Sequence, residues 1–395
     1  MAEMLKRQYD LLALKIAMDL AGEEPRVKFE LRGREEGQLS LVYDGLCAAE
    51  EIGLPQKLNR KEAIYRGYSF RFPDHVLDNL KDVLAESEYH DRPLWLHLAK
   101  PLGYLNLVPW EQLLGPELKM PLLRLPDFLA KPPRESLNSL DVILCTSLPV
   151  AKAYFMALEH VCRMAEHIID IGPPNTTVHV FTDNQIFSEM ANGIGTLPQV
   201  NVYNPAEAGG LPAAEATTRI RERSVRIDNP WLVWMRKALK GRSVDVAHFI
   251  SHGYISRDQG ALAFAESPLE NEDRRIARFV GANELLTFLT QIGAWAAAFS
   301  SPEGNYSEMG LRLLADTIAQ MRPGPVLHHE MRLDANCESM AEAYRFLFGR
   351  SAEGPPSAPS LFIYCHPSKV EQKPLHDMPM EPPVDLEVPE SDMEA

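Results

Sequence analysis

From Leu140 to Cys365 short apolar, partly β-branched runs alternate with segments of helical period, and no other feature restricts the fold as strongly. Runs of this length bounded by turn residues read as strands buried on both faces. Strands separated by helices imply parallel pairing through crossover connections. The strands expected are Asp141–Thr146, Val178–Thr182, Val244–Ile250, Gly293–Phe299, Pro325–His329 and Ser360–Tyr364. Helical spacing covers Lys152–Ile169, Trp231–Leu239, Glu284–Thr290, Glu308–Met321 and Cys337–Phe348, the last stopped by Gly349. A hairpin is expected around Ala261–Phe264, within the polar excursion from Ser256 to Arg278. The class is α/β, with a mostly parallel sheet flanked by helices.

The first third of the chain has a different pattern. Met1 to Gly22 reads as one amphipathic helix, because Asp10, Lys15 and Asp19 interrupt what would otherwise be a signal-like apolar core. Val27–Leu31 and Leu39–Tyr43 alternate as a hairpin joined by Arg32–Gly37, and Asp74 caps a helix running to Ser87. Pro93–Leu98 reads as a strand with Leu102–Leu107 as its hairpin partner, and Val108–Leu114 starts a helix with Pro109 in its first turn. These patterns divide the chain into an N-terminal α+β region (1–92), a main domain (93–368) and an acidic, proline-rich tail (369–395) expected to be disordered. Lys131–Arg134 reads as a proline-rich connector and Asn204–Leu211 as a loop.

Composition narrows the functions. A formal net charge of −15 without a basic stripe argues against nucleic-acid or anionic-membrane binding. No apolar run approaches the roughly eighteen residues of a membrane span. Five cysteines, at 47, 145, 162, 337 and 365, form neither a disulfide framework nor a CxxC metal pattern, so a reducing cytoplasm is the simplest compartment. No GxGxxG or P-loop follows any expected strand, which leaves little for a nucleotide-binding doubly wound protein, the competing reading. Neither a metal nor a cofactor is expected.

Several residues could carry chemistry. The run Val244–Ile250 ends at Ser251-His252-Gly253, and the carboxyl ends of strands are where reacting groups collect in open α/β sheets. His252 is the candidate base. His248 lies four strand residues earlier, about 13 Å away, too far to share a metal ion, and reads as a strand residue beneath the site. In His328-His329-Glu330 neighbouring side chains face opposite ways, which weakens a metal reading. The same alternation separates Cys365 from His366, and Cys145 and Cys365 read as buried small hydrophobes. Arg219–Arg226 reads as a solvated basic face, with recruitment of an acidic partner as the alternative. The acidic tail reads as a solubilising terminus, with a docking arm as the alternative.

His248-Phe-Ile-Ser-His-Gly253 followed one helix later by Ala294-Trp-Ala-Ala-Ala-Phe-Ser-Ser-Pro-Glu-Gly304 resembles the histidine and nucleophile strands of CHAT domains, relatives of the caspases and separase. Leu94–Leu98 with Val108-Pro-Trp-Glu-Gln-Leu-Leu114 is similar to the family's strand and Pro-(Phe/Trp)-Glu-x-Leu segment, and the resemblance spans Pro93 to His366. It implies a caspase-like α/β sheet in which a histidine after one strand activates a cysteine after the next. Aligning Gly304 with the family's glycine puts Ser301 at the nucleophile position, with Ser300 the alternative shifted by one residue; the strand holds no cysteine. A hydroxyl is much harder to deprotonate than a thiol. The resemblance therefore implies a degenerate pseudo-protease of bacterial stress or defence signalling, acting on or with a protein partner. The alternatives are a peptidase using His252 as base, Ser301 as nucleophile and the Gly253 amide in the oxyanion hole, or a cysteine peptidase inactivated by a Cys-to-Ser change.

Overall fold

The computed structural model describes residues 2–22, 24–35, 38–58, 67–85, 89, 92–126, 138–147, 154–209, 226–256, 258–269, 277–349 and 353–370. The connector 131–134, the basic run up to residue 225 and the tail from 371 lie outside these residues.

Among the described residues fourteen strands form one mixed, mostly parallel sheet. They are β1 (Ala13–Asp19), β2 (Arg26–Glu35), β3 (Gln38–Ala48), β4 (Leu94–Ala99), β5 (Leu122–Arg124), β6 (Ser139–Ser147), β7 (Asn175–Phe181), β8 (Val200–Tyr203), β9 (Val246–Ser256), β10 (Gln259–Ala265), β11 (Ala277–Gly281), β12 (Ala296–Ser301), β13 (Val326–Glu330) and β14 (Leu361–Tyr364). Their order is β3-β2-β1-β4-β5-β14-β13-β12-β9-β6-β7-β8, with β10 and β11 extending β9 as an antiparallel arm. From β7 to β13 every neighbouring pair on the main path is parallel, and β14 runs antiparallel to β13. The expected α/β class with helices flanking a mostly parallel sheet is what the chain adopts.

The helices are α1 (Ala2–Gln8), α2 (Ala49–Ile52), α3 (Asp74–Leu84), α4 (Trp110–Leu118), α5 (Tyr154–Ile171), α6 (Phe187–Asn192), α7 (Pro230–Ala238), α8 (Ala282–Gln291), α9 (Asn305–Met321) and α10 (Glu338–Phe348). The central strands are buried on both faces because each face meets its own layer. Val246, Ile250, Ala296 and Ala298 join α5 and α10 in one apolar cluster. Ala247, Phe249, Ala297 and Phe299 join α7, α8 and α9 in the other. A third cluster lies among β1–β4, α3 and α4.

Three local expectations are corrected. The single helix over residues 1–22 is instead α1 followed by β1, whose Leu14 and Ile16 are drawn to the third cluster and Ala13 to the first. Pairing on both sides, with β2 and β4, outweighs a helical pattern in the sequence. Leu102–Leu107 is no strand; its end is a 3₁₀ turn (Leu105–Leu107), and β4 pairs in parallel with β1 and β5. Ser251-His252-Gly253 is not a turn, because β9 continues to Ser256 on the antiparallel partner β10. The sheet crosses the expected boundary at residue 92 without a break, through the β1–β4 pairing.

Candidate functional site

β12 is flanked by parallel β9 and β13, so the three present their carboxyl ends at one edge. Alternation decides which side chains can meet there. His252 continues the parity of Val246 and Ile250, and Ser300 that of Ala296 and Ala298, so both belong to the α5/α10 face. Ser301 continues the parity of Ala297 and Phe299 and belongs to the α9 face. The two residues paired in the sequence reading are thus on opposite faces of the sheet.

Neither serine bonds His252. Ser301 Oγ donates to the backbone oxygen of His329 at 3.3 Å. His252 Nε2 is buried without a hydrogen-bond partner among the described residues, and burial lowers the imidazole's pKa. The Gly253 amide, the expected oxyanion donor, gives its hydrogen to Ser307 Oγ at 2.8 Å. Gly253 serves packing, since a Cβ there would lie 2.1 Å from the Ser307 carbonyl oxygen of α9.

Ser300 is the residue the structure surrounds. His248 Nε2 lies 2.8 Å from its Oγ and His329 Nδ1 lies 3.1 Å away on the other side. His329 Nε2 reaches Asp334 Oδ2 at 3.1 Å, and Tyr344 OH reaches His248 Nδ1 at 3.1 Å. Proton counting gives this row a direction. Asp334 can only accept, so His329 carries its proton on Nε2 and accepts from the Ser300 hydroxyl at Nδ1. Ser300 in turn accepts from His248 Nε2–H, and Tyr344 donates to His248 Nδ1. Every ring nitrogen and every hydroxyl hydrogen in the row is used.

The electrostatics fit. Burial, with the nearby His329, pushes the His248 pKa down to about 3, so it stays neutral. Burial alone would raise Asp334, but hydrogen bonds from His329 and from the Met340 and Glu338 amides hold it below the usual carboxylate range. Beside this row, Cys337 Sγ lies 2.9 Å from His160 Nδ1, and the His160 ring stacks on His329 at 5.5 Å.

The other face of the sheet is also polar. Glu111, from the Pro-Trp-Glu segment, accepts from Arg124 Nε at 2.6 Å and Nη2 at 2.8 Å. Arg124 donates to Tyr364 OH, which donates to Asp316. Gln112 donates to Glu330, which also pairs with Arg312 at 3.3 Å. The segment that carries part of the family resemblance thus anchors α4 to β5, β13 and β14. His328 lies on this face, 5.1 Å from the Phe362 ring, and His329 on the other, as their adjacency in a strand requires. Among the described residues no group of three or more His, Cys, Asp or Glu side chains is placed to hold a metal ion.

Sequence reasoning singled out His248, Ser300 and His329 without joining them, and missed His160, Asp334, Cys337 and Tyr344. Apart from the five-residue step from His329 to Asp334, the partners lie 29 to 177 residues apart and leave no local spacing to read. No family model matches the chain, and no curated protein sequence matches it. Among the described residues no helix is long and apolar enough to cross a membrane.

Proposed function

We propose that the chain is a CHAT-type, caspase-like protein of bacterial stress or defence signalling, cytoplasmic, whose peptidase site is degenerate and which serves as a scaffold or regulatory subunit for a protein partner. The sheet order is consistent with such a fold, and the two motif strands are neighbours in it. One observation carries the loss of catalysis. The hydroxyl on the face of His252 is bound from both sides by His248 and His329, and the hydroxyl at the aligned position, Ser301, faces the other way. Among the described residues Ser301 has no base within hydrogen-bond reach, and Ser300, although its hydroxyl bonds a histidine backed by Asp334, is fully buried together with His248 and His329, so no substrate carbonyl meets it.

The test is intact-mass analysis of the full chain after incubation with a fluorophosphonate and with a peptidyl acyloxymethyl ketone. No adduct on Ser300 or Ser301 is expected. A stoichiometric adduct on Ser301 that disappears in His252→Ala would overturn the reading in favour of a working dyad.

A further inference from the structure

The cysteine missing from β12 has a counterpart one strand further along. Cys337 follows β13 and precedes α10, and its Sγ sits 2.9 Å from Nδ1 of His160 on α5. His160 is 3% exposed, and among the described residues its other nitrogen has no nearer partner than the same sulfur at 3.9 Å. Cys337 adopts φ 61° and ψ 17°, a left-handed conformation that strains a residue with a side chain. Strain of this kind persists where surrounding contacts impose it. Here the imposing contacts are visible: Arg163, one turn after His160, donates from Nη1 to Ala335 O at 3.1 Å and to Asn336 Oδ1 at 2.6 Å. Ala335, Asn336 and Glu338 are exposed while Cys337 is fully buried, so the thiol lies directly beneath a surface segment whose outer residues, Ala335 and Asn336, are held by Arg163.

We propose that Cys337 and His160 form a latent thiol site, covered by residues 334–337 and uncovered when the Arg163 latch opens, whose chemistry is exchange with low-molecular-weight disulfides. In the latched form burial pushes the Cys337 thiol up to about 12 and His160 well below its ordinary value, so no ion pair forms and the site is silent. Opening admits water and removes the burial cost, and the Sγ proton passes to His160 Nδ1. The thiolate then attacks one sulfur of the disulfide. A new Sγ–S bond forms, the old S–S bond breaks, and the departing thiolate takes the proton from His160; Cys337 is oxidised and the released half is reduced. A mixed disulfide is too large for the buried position, so modification keeps the segment lifted and withdraws Asp334 from His329 and from the α10 amides it caps. The inference does not rest on the caspase-like reading, since it concerns other residues.

The experiment treats the full chain with the aromatic disulfide DTNB and follows each cysteine by mass spectrometry. Removing the latch in Arg163→Ala should raise the Cys337 rate by roughly ten- to a hundredfold, the factor expected from loss of charge-assisted hydrogen bonds. Cys145 and Cys365, buried elsewhere in the core, should not change. Adding His160→Gln to Arg163→Ala should return Cys337 to a slow, ordinary thiol rate. The proposal is overturned if Cys337 is no faster in Arg163→Ala, if all three cysteines accelerate together, or if His160→Gln has no effect.

Discussion

At Ser300 a fully buried hydroxyl gives its one hydrogen to His329 and takes one from His248. Ser301, its neighbour, makes a single long bond to a backbone oxygen. The two serines should therefore answer very differently to the same mutation. Ser300→Ala strands a buried His248 N–H and a buried His329 nitrogen, and an unsatisfied buried polar group costs about 1–3 kcal/mol, so a loss of about 2–4 kcal/mol is expected. Ser301→Ala should cost about 1 kcal/mol or less. Chemical denaturation of both variants checks the contrast; equal losses would mean that the row of hydrogen bonds through Ser300 contributes nothing specific.

At the scale of elements, the long strand β9 explains why the sequence could be read only in part. Its apolar core, Val246–Ile250, was legible because both faces demand hydrophobic residues. Its polar continuation was not, because Ser251-His252-Gly253 has turn composition and only the pairing with β10 makes it a strand. Gly253 is required for a reason no sequence displays: together with Gly310 it lets the backbones of β9 and α9 meet, and a Cβ at either position would lie within 2.7 Å of a backbone atom. β1 was missed similarly, since its second pairing partner, β4, is remote in sequence. The helices α5, α9 and α10 lie where their apolar spacing put them, to within a few residues. The polar row could not be foreseen, since it joins four elements and depends on which face each residue takes.

At the scale of the whole molecule, one sheet carries buried polar groups on both faces, and pH should report on them. Burial holds His248, His160 and His328 well below their unfolded pKa, so each binds a proton on unfolding below about pH 6.5. A lowered histidine pKa means that stability rises with pH and is lost as pH falls, by up to about 1.4 kcal/mol per unit for each group. Glu330 opposes this. Burial raises its pKa despite Arg312, so its contribution falls as pH rises above the usual carboxylate range. His252, also lowered by burial, makes four such histidines against the buried carboxyls of Glu330 and Asp316, so the thermal midpoint should fall steadily from pH 6.5 to 5; a flat profile there would contradict the buried, neutral state of the histidines.

The central claim is that the end of β12 holds structure in place of catalysis, and turnover tests it most directly. Purified full-length chain is incubated with a diverse peptide library and cleavage is read by mass spectrometry, beside His252→Ala and Ser301→Ala. The expected result is no cleavage above the level common to all three proteins. Cleavage by the parent chain that is lost in both variants would contradict the account.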